Sequence, residues 1–495
     1  MGAAIMGAAL LLGATGGDAK ADGKGDELHA RLEAAFETMQ KDDCPGALTQ
    51  LKGVIDRRGF SALSDSLRSF AYEIGAYCAA STDPVTAYRY TMAGTALDTA
   101  SPNIWDQRLR LEVVGKRYAE AVATVEAMAA RNPEALNAIE FRVLVQLSRD
   151  LYRDAKLRPQ RKRLLALLTA PVYQPQEATA SSDGFRKSYA AMLAEDGDKA
   201  AAVAMVRRIE EPAYLIQISV DPRLRDALPA DFDGRAAVEA RLVKAREFAG
   251  SHSGSLEAVL EIARYLRQLG RPEEALATLE AARPDGPQAA SFTDLNDQRN
   301  WWWDDMARSY QMLGRHDDAV NAYRRAIDLK EGGRLNVSQT INLAYAHLAF
   351  GKSAQAVAAV ADFETGGYGV SAYGLMQMRS VRSCARFLLG QTAEAKADLD
   401  YVKAHDKDDP ESLTWLSLCA DDMDGAAASI IRRLDDADNR SRALLELSDY
   451  DDPPPTEPKM PFEGRMDSLK ARPDVAAAIQ RAGGVRRFRL QPGEF

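Results

Sequence analysis

The sequence predicts an all-α protein, an α–α superhelix of antiparallel helix hairpins laid side by side. Three observations carry this. First, Trp303, Met306, Ala307 and Tyr310 recur at three- and four-residue steps, and Ala319, Tyr323 and Ala326 do the same beyond Gly314, so two amphipathic helices are joined at one glycine. Second, the unit recurs: alanines 275, 319, 356, 395 and 427 hold the matching second-helix position, 44, 37, 39 and 32 residues apart. Third, the chain is 46% hydrophobic but only 7% aromatic, so alanine supplies much of the apolar surface. Small contact residues favour close helix pairs over a large globular core.

The elements follow in order. Residues 1–21, MGAAIMGAALLLGATGGDAKA, have the form of a secretory signal. The apolar run 3–12 is too short to span a bilayer, and Ala19-Lys20-Ala21 fits a small-x-small cleavage site. No Lys or Arg precedes the run, so the alternative is an Ala/Gly-rich tail on a cytoplasmic protein. Residues 22–131 read as three hairpins. Ala34 and Ala35 face Ala47, Leu51 and Val54; Ile74 and Cys78 face Ala87; Trp105 and Leu109 face Ala121, Val125 and Met128. Residues 132–235 are less regular. There 136–151 and 161–168 read as helices, 169–184 as a polar loop, and Tyr189 to Val206 as a hairpin around Gly197. A helix over 235–250 leads into the central array, 236–447. In it, Ile262 and Ala263 precede a turn at Gly270 and Ala275 follows it; Leu343 and Ala344 precede Gly351 and Ala356 follows it; Gly390 precedes Ala395. Arg382 stands where an apolar residue is expected, which predicts a shifted register in that helix. Residues 448–495 form a linker with five prolines in 451–461, a short helix over 473–482 ended by Gly483-Gly484, and a basic end. That end reads as a cap on the array or as a contact for an anionic partner.

The pattern Trp303-x2-Met306-Ala307-x2-Tyr310, then Ala319-x3-Tyr323, resembles a tetratricopeptide repeat. It departs at Ala307, where glycine is commoner, and in lacking a closing proline. Three of the four unit spacings exceed the family's period of about 34 residues, so some linkers carry extra residues. Asp221-Pro222-Arg223 is similar to stretches that end helical-repeat arrays in other bacterial proteins. With the signal-like start, the resemblance is to an exported bacterial type and implies a right-handed solenoid. Gly270, Ala275, Ala307, Gly314, Ala319, Ala344, Gly351, Ala356 and Ala395 would then be the repeat-packing positions. The resemblance also implies a concave groove lined by the first helices. Glu257, Leu260, Arg264 and Arg267 would point into it from one helix, and Trp301, Asp304, Arg308 and Gln311 from the next. Ser338, Ile341, Tyr345 and Leu348 would follow from the third. Arg264, Arg267, Trp301, Asp304, Arg308 and Tyr345 are the peptide-contact candidates, because arginine holds carboxylates in a fork and aromatics anchor peptides. The opposing reading packs Trp301 and Trp302 under the 287–300 linker and pairs the arginines with nearby acids.

The search for chemistry returns no catalytic constellation. Gly351-Lys352-Ser353 resembles the end of a phosphate loop, but Ala346 stands where its first glycine belongs and a helix precedes it. Gly250-Ser251-His252-Ser253-Gly254 carries histidine where a nucleophile elbow needs serine. The five histidines are scattered with no His-x3-His pair, and no Cys-x-x-Cys occurs, so no metal or cofactor is expected. Cys44 opens the second helix of one hairpin and Cys78 lies near the end of the first helix of the next, so a disulfide is feasible. Cys384 and Cys419 lie on successive first helices. Four buried free thiols are the alternative. A net charge of −9 argues against nucleic acid as a general partner. The prediction is a non-enzymatic scaffold that binds a protein or peptide in its groove, in the periplasm or outside the cell, with no transmembrane segment. The alternatives are a self-assembling envelope subunit, or an enzyme with its site in 132–235.

Overall fold

The computed structural model describes residues 23–177, 179–287, 289–330, 335–363, 370–454 and 456–492. The signal-like start, 1–21, lies outside the described residues. Among those residues the chain is all-α: 26 α-helices with short 3-10 segments between them, and a single β-bridge, Asp449 to Arg487. None of these helices is long and apolar enough to cross a membrane. The chain divides into two compact units, Met1–Met192 and Leu193–Phe495.

In the first unit, α1 (Gly23–Gln40) pairs with α2 (Cys44–Ile55), α3 (Asp65–Ala79) with α4 (Pro84–Thr95), and α5 (Pro102–Val114) with α6 (Tyr118–Arg131). The starts are set by side-chain caps. Asp43, Ser64, Asp83 and Ser101 accept from the backbone N–H of Gly46, Leu67, Thr86 and Ile104, each satisfying a donor the helix leaves unpaired. Three helices follow: α7 (Pro133–Asn137), α8 (Phe141–Tyr152) and α9 (Arg158–Leu168). The sequence predicts one helix over 136–151; the structure breaks it after Asn137. The 171–177 loop takes the groups a continuous helix would use. The Asn137 side chain accepts from Gln174 N at 2.8 Å, its carbonyl accepts from Gln176 N at 3.0 Å, and Phe141 N donates to Glu177 at 2.5 Å.

After α10 (Asp183–Glu195), the chain turns at Gly197 into α11 (Lys199–Val206), α12 (Pro212–Val220) and α13 (Gly234–Ser251). Five hairpins then share one construction. They are α14 (Leu256–Gln268) with α15 (Pro272–Ala281), α16 (Leu295–Met312) with α17 (His316–Asp328), α18 (Val337–Ala349) with α19 (Ser353–Ala359), α20 (Ala372–Leu388) with α21 (Thr392–Ala404), and α22 (Pro410–Cys419) with α23 (Met423–Asp435). At each turn a backbone N–H reaches five residues back: Arg271 to Leu266, Arg315 to Tyr310, Lys352 to His347, Gln391 to Arg386 and Asp422 to Ser417, at 2.7–2.9 Å. That closure needs a left-handed residue just before the donor. Gly270, Gly314, Gly351 and Gly390 supply it with φ of 72°, 68°, 69° and 74°, and Asp421 with 62°. Ala275, Ala307, Ala319, Ala344, Ala356 and Ala395 are fully buried, where the helices of each pair meet.

Arg382 does not shift the register of α20. Ser383 takes the place of Ala307, fully buried, with its hydroxyl donating to Ala395 O at 2.7 Å. Arg382 itself stays inside, forked onto Asp398 of α21 at 2.7 and 2.8 Å. A paired charge replaces the apolar residue, so the helix need not rotate.

The last elements are α24 (Arg440–Leu447), α25 (Glu463–Ala471) and α26 (Pro473–Ala482). The second unit closes on itself. Helix α12 packs against α24, Arg225 donates to Gly483 O at 2.9 Å, and Gln491 N donates to Gln268 O at 2.8 Å. One core therefore runs from Ile216 to Leu490. Disulfides join Cys44 to Cys78 and Cys384 to Cys419.

Candidate functional site

The shared turn fixes where each first helix ends, so residues at equal distance before the turns face the same way. Six places before each left-handed residue stand Arg264, Arg308, Tyr345, Cys384 and Trp415. They mark one shared stripe along α14, α16, α18, α20 and α22. Polar contacts between neighbouring first helices tie this stripe together.

Arg267 is 3% exposed and donates to Asp305 of α16 at 2.7 Å. Asp304 is 2% exposed; it accepts from Arg308 and from Asn342 of α18, both at 2.7 Å. These two candidates are connectors between repeats. Arg264 lies near Glu211 and Glu261, at 3.6 and 3.9 Å, and donates to the Tyr265 hydroxyl at 3.2 Å. That hydroxyl lies 2.7 Å from Glu211 and 2.8 Å from Glu261, and burial, with Glu211, holds its pKa above the ordinary tyrosine value. The side chains of Arg264 and Arg308 keep 41% and 38% of their surface in solvent. Trp301 is 40% exposed, whereas Trp302 is buried and donates from Nε1 to Leu279 O of α15 at 2.9 Å. Tyr345 is half-buried; its hydroxyl donates to Gln377 O at 3.4 Å and burial raises its pKa.

Sequence reasoning missed the far end of the stripe. Trp415 meets the Tyr345 ring edge-on at 6.4 Å between centroids. Its Nε1 donates to Glu446 at 3.1 Å, and Glu446 in turn pairs with the buried Arg433 at 2.6 Å. Burial pushes the Glu446 carboxyl up, with Arg433 opposing. Tyr373 lies on the same face, one helical turn before Gln377, and is 56% exposed. The available signal was Asp421: aspartate tolerates the left-handed turn, and six places before it falls Trp415. Beside Trp301, an open cavity of about 330 Å³ is lined by residues that include Asn296, Arg299, Asn300, Lys330 and Asn336. Among the described residues, no group of three or more His, Cys, Asp or Glu could hold a metal ion.

Residues 303–332 match the family model of the tetratricopeptide repeat. The chain carries a tetratricopeptide repeat. The match begins at Trp303 and contains Ala307, the Gly314 turn and Ala319, so it is the hairpin α16–α17. Solved structures similar to the chain include a human IFIT1 dimer with PPP-AAAA, at 14% identity over 90% of this chain and 88% of that one, with a TM-score of 0.35. They also include the APC/C hetero-tetramer Cut9-Hcn1, at 12% identity over 92% and 96%, with a TM-score of 0.30. No curated protein matches the chain in sequence. Tetratricopeptide repeats generally serve as protein-binding scaffolds.

Proposed function

We propose that the inner face of Leu193–Phe495 binds a protein or peptide partner, and that the protein works in the periplasm of a bacterium. One observation carries the binding reading. Trp301 and Tyr373 present 40% and 56% of their surface on helices that polar contacts such as Arg267–Asp305 and Asn342–Asp304 tie together. Exposed aromatics on a rigid surface are what a partner uses as anchors. Arg264 and Arg308 lie along the same stripe and suit carboxylates of the bound chain. The two disulfides favour an oxidising compartment, in keeping with the signal-like start.

Crosslinking in the native envelope, comparing the wild type with Trp301→Ala/Arg308→Ala, tests this. The double variant is expected to lose its partner crosslinks by roughly tenfold or more, the effect of removing two anchors worth about 1 kcal/mol each. Unchanged crosslinks to every partner would reject the groove.

A further inference from the structure

The proline-rich stretch between α24 and α25 lies on the shared stripe. Phe462 is buried and packs its ring on Trp415 at 5.7 Å between centroids. Just beyond it, Arg465 donates to the carbonyls of Leu418 and Cys419, at 2.6 and 3.1 Å, where the end of α22 needs donors. Just before it, the carbonyl of Thr456 sits so close to the Gly314 turn that a Cβ there would run into it. Residues 456–462 therefore pass from the carboxyl end of α16 to that of α22.

This strap enters the core at fewer points than the rest of the tail. Leu469, Val475, Ile479 and Leu490 are buried parts of the unit's core, whereas the strap contributes Phe462 and the partly buried Met460. Among the described residues, the backbone hydrogen bonds of 456–462 stay within the tail: Glu457 N donates to Pro454 O at 2.8 Å and Met460 N to Glu463 at 2.7 Å. Pro458 and Pro461 have no N–H to donate. Glu457 carries a buried carboxylate oxygen with no hydrogen-bond partner, an arrangement that opposes docking. The strap is thus anchored firmly at α25 and docked by two apolar side chains, the Phe462 ring and Met460.

We propose that residues 456–462 are an internal ligand of the groove, exchanging with partner segments that are extended, proline-containing and aromatic. This rests on the reading of the inner face as a binding surface. Its chemistry is that of the site: the Tyr345–Trp415 pair offers ring faces and edges to another aromatic. An extended segment with prolines brings few unpaired donors and loses little freedom on docking. While the strap is docked, a partner of this kind sees only the fraction of molecules whose groove is open, and its apparent affinity falls by that fraction.

The test uses the full chain and a labelled peptide with the sequence of residues 456–465, TEPKMPFEGR. Two variants release the strap by different routes: Phe462→Ala removes the ring, and Gly314→Ala places a methyl group against Thr456. Gly351→Ala is the matched control, since that turn has the same left-handed backbone but nothing within 4 Å of an added Cβ. Peptide anisotropy is expected to give at least about tenfold tighter binding to Phe462→Ala and Gly314→Ala than to the wild type or Gly351→Ala. Adding Trp415→Ala, or using the peptide with Phe462→Ala, should abolish it. Equal affinity for all four proteins, or no binding to either folded strap variant, overturns the proposal. So does loss of helical circular dichroism in both strap variants but not in Gly351→Ala, which would make the strap a structural part of the core. If the peptide fails while Trp301-dependent crosslinks persist, the internal ligand falls and the groove reading stands.

Discussion

The two units close their hairpins with the same backbone geometry but different residues. In the first, Asp43 N reaches Thr38 O and Arg117 N reaches Glu112 O, with Asp42 and Lys116 held at φ of 62° and 56°. In the second, four of the five repeating turns use glycine at 68–74°. The same closure forms with a charged residue or a glycine at the corner, but it is not obligatory: at the α3–α4 turn Asp83 N reaches only four residues back, to Ala79 O at 2.8 Å. The residue decides only the strain. A Cβ in this region costs about 1 kcal/mol, and glycine avoids it. Strain at Lys116 is therefore accepted for a packing arrangement that the second unit reaches without it at four of its five repeating turns.

The largest effects on this contrast come from the disulfides. The bridges close loops of 34 and 35 residues, so loop-closure entropy assigns them nearly equal weight, about 3–4 kcal/mol each. Cys78→Ser is expected to lower the melting transition of the first unit and Cys419→Ser that of the second, by similar amounts in calorimetry. A single transition moved equally by either variant would show that the units do not melt separately.

The turns come next. Lys116→Gly should stabilise the first unit and Gly351→Ala destabilise the second, each by about 1 kcal/mol in urea unfolding. If Lys116→Gly is neutral or harmful, the side chain contributes more than its backbone strain removes.

The smallest effect is a pH dependence within the second unit, where two groups pull in opposite directions. His347 is buried, and its Nδ1 lies 3.4 Å from His316 Nε2. Burial, then His316, holds its pKa at about 4, below the ordinary 6.5. Its contribution is complete above pH 6.5 and lost as the pH falls toward 4, because the unfolded chain takes up the proton first. Burial, with Glu463 beside it, pushes Glu457 up to about 7 from 4.5. Its contribution is present below pH 4.5 and lost as the pH rises through 7. Glu457→Gln should flatten the alkaline arm of a stability–pH curve by about 1 kcal/mol, discounted for partial exposure, and His347→Gln the acid arm. If each substitution flattened the other arm, the assignment would be reversed.

How much could be read in advance follows the same contrast. Gly270, Gly314, Gly351 and Gly390 were legible as corners because glycine announces the left-handed residue. Asp421 performs the same task without announcing it, so the register of α22 and with it Trp415 could not be read, although Cys419 already marked a first helix there. Arg382 misled because a lone charge on an apolar stripe signals a rotated helix, unless its acid is known. Asp398 lies in the partner helix, and one strand of sequence does not show that they meet. Of the six groove candidates, register placed all on first helices. Exposure then separated Trp301, Arg264 and Arg308 from Arg267 and Asp304, which meet Asp305 and Asn342, each 38 residues away.

The sequence by itself determined the helical periods, the corners and the alanines at which helices meet. These depend on residues within a few positions of one another, where spacing alone sets which side chains share a face. Only the tertiary structure decided that α12 meets α24, that Arg433 and Glu446 hold Trp415, and that Phe462 lies on it. Those contacts join residues that nothing in local spacing relates. They exist because whole elements pack side by side: α22, α23 and α24 meet around Trp415, and the tail brings the start and the end of the second unit together.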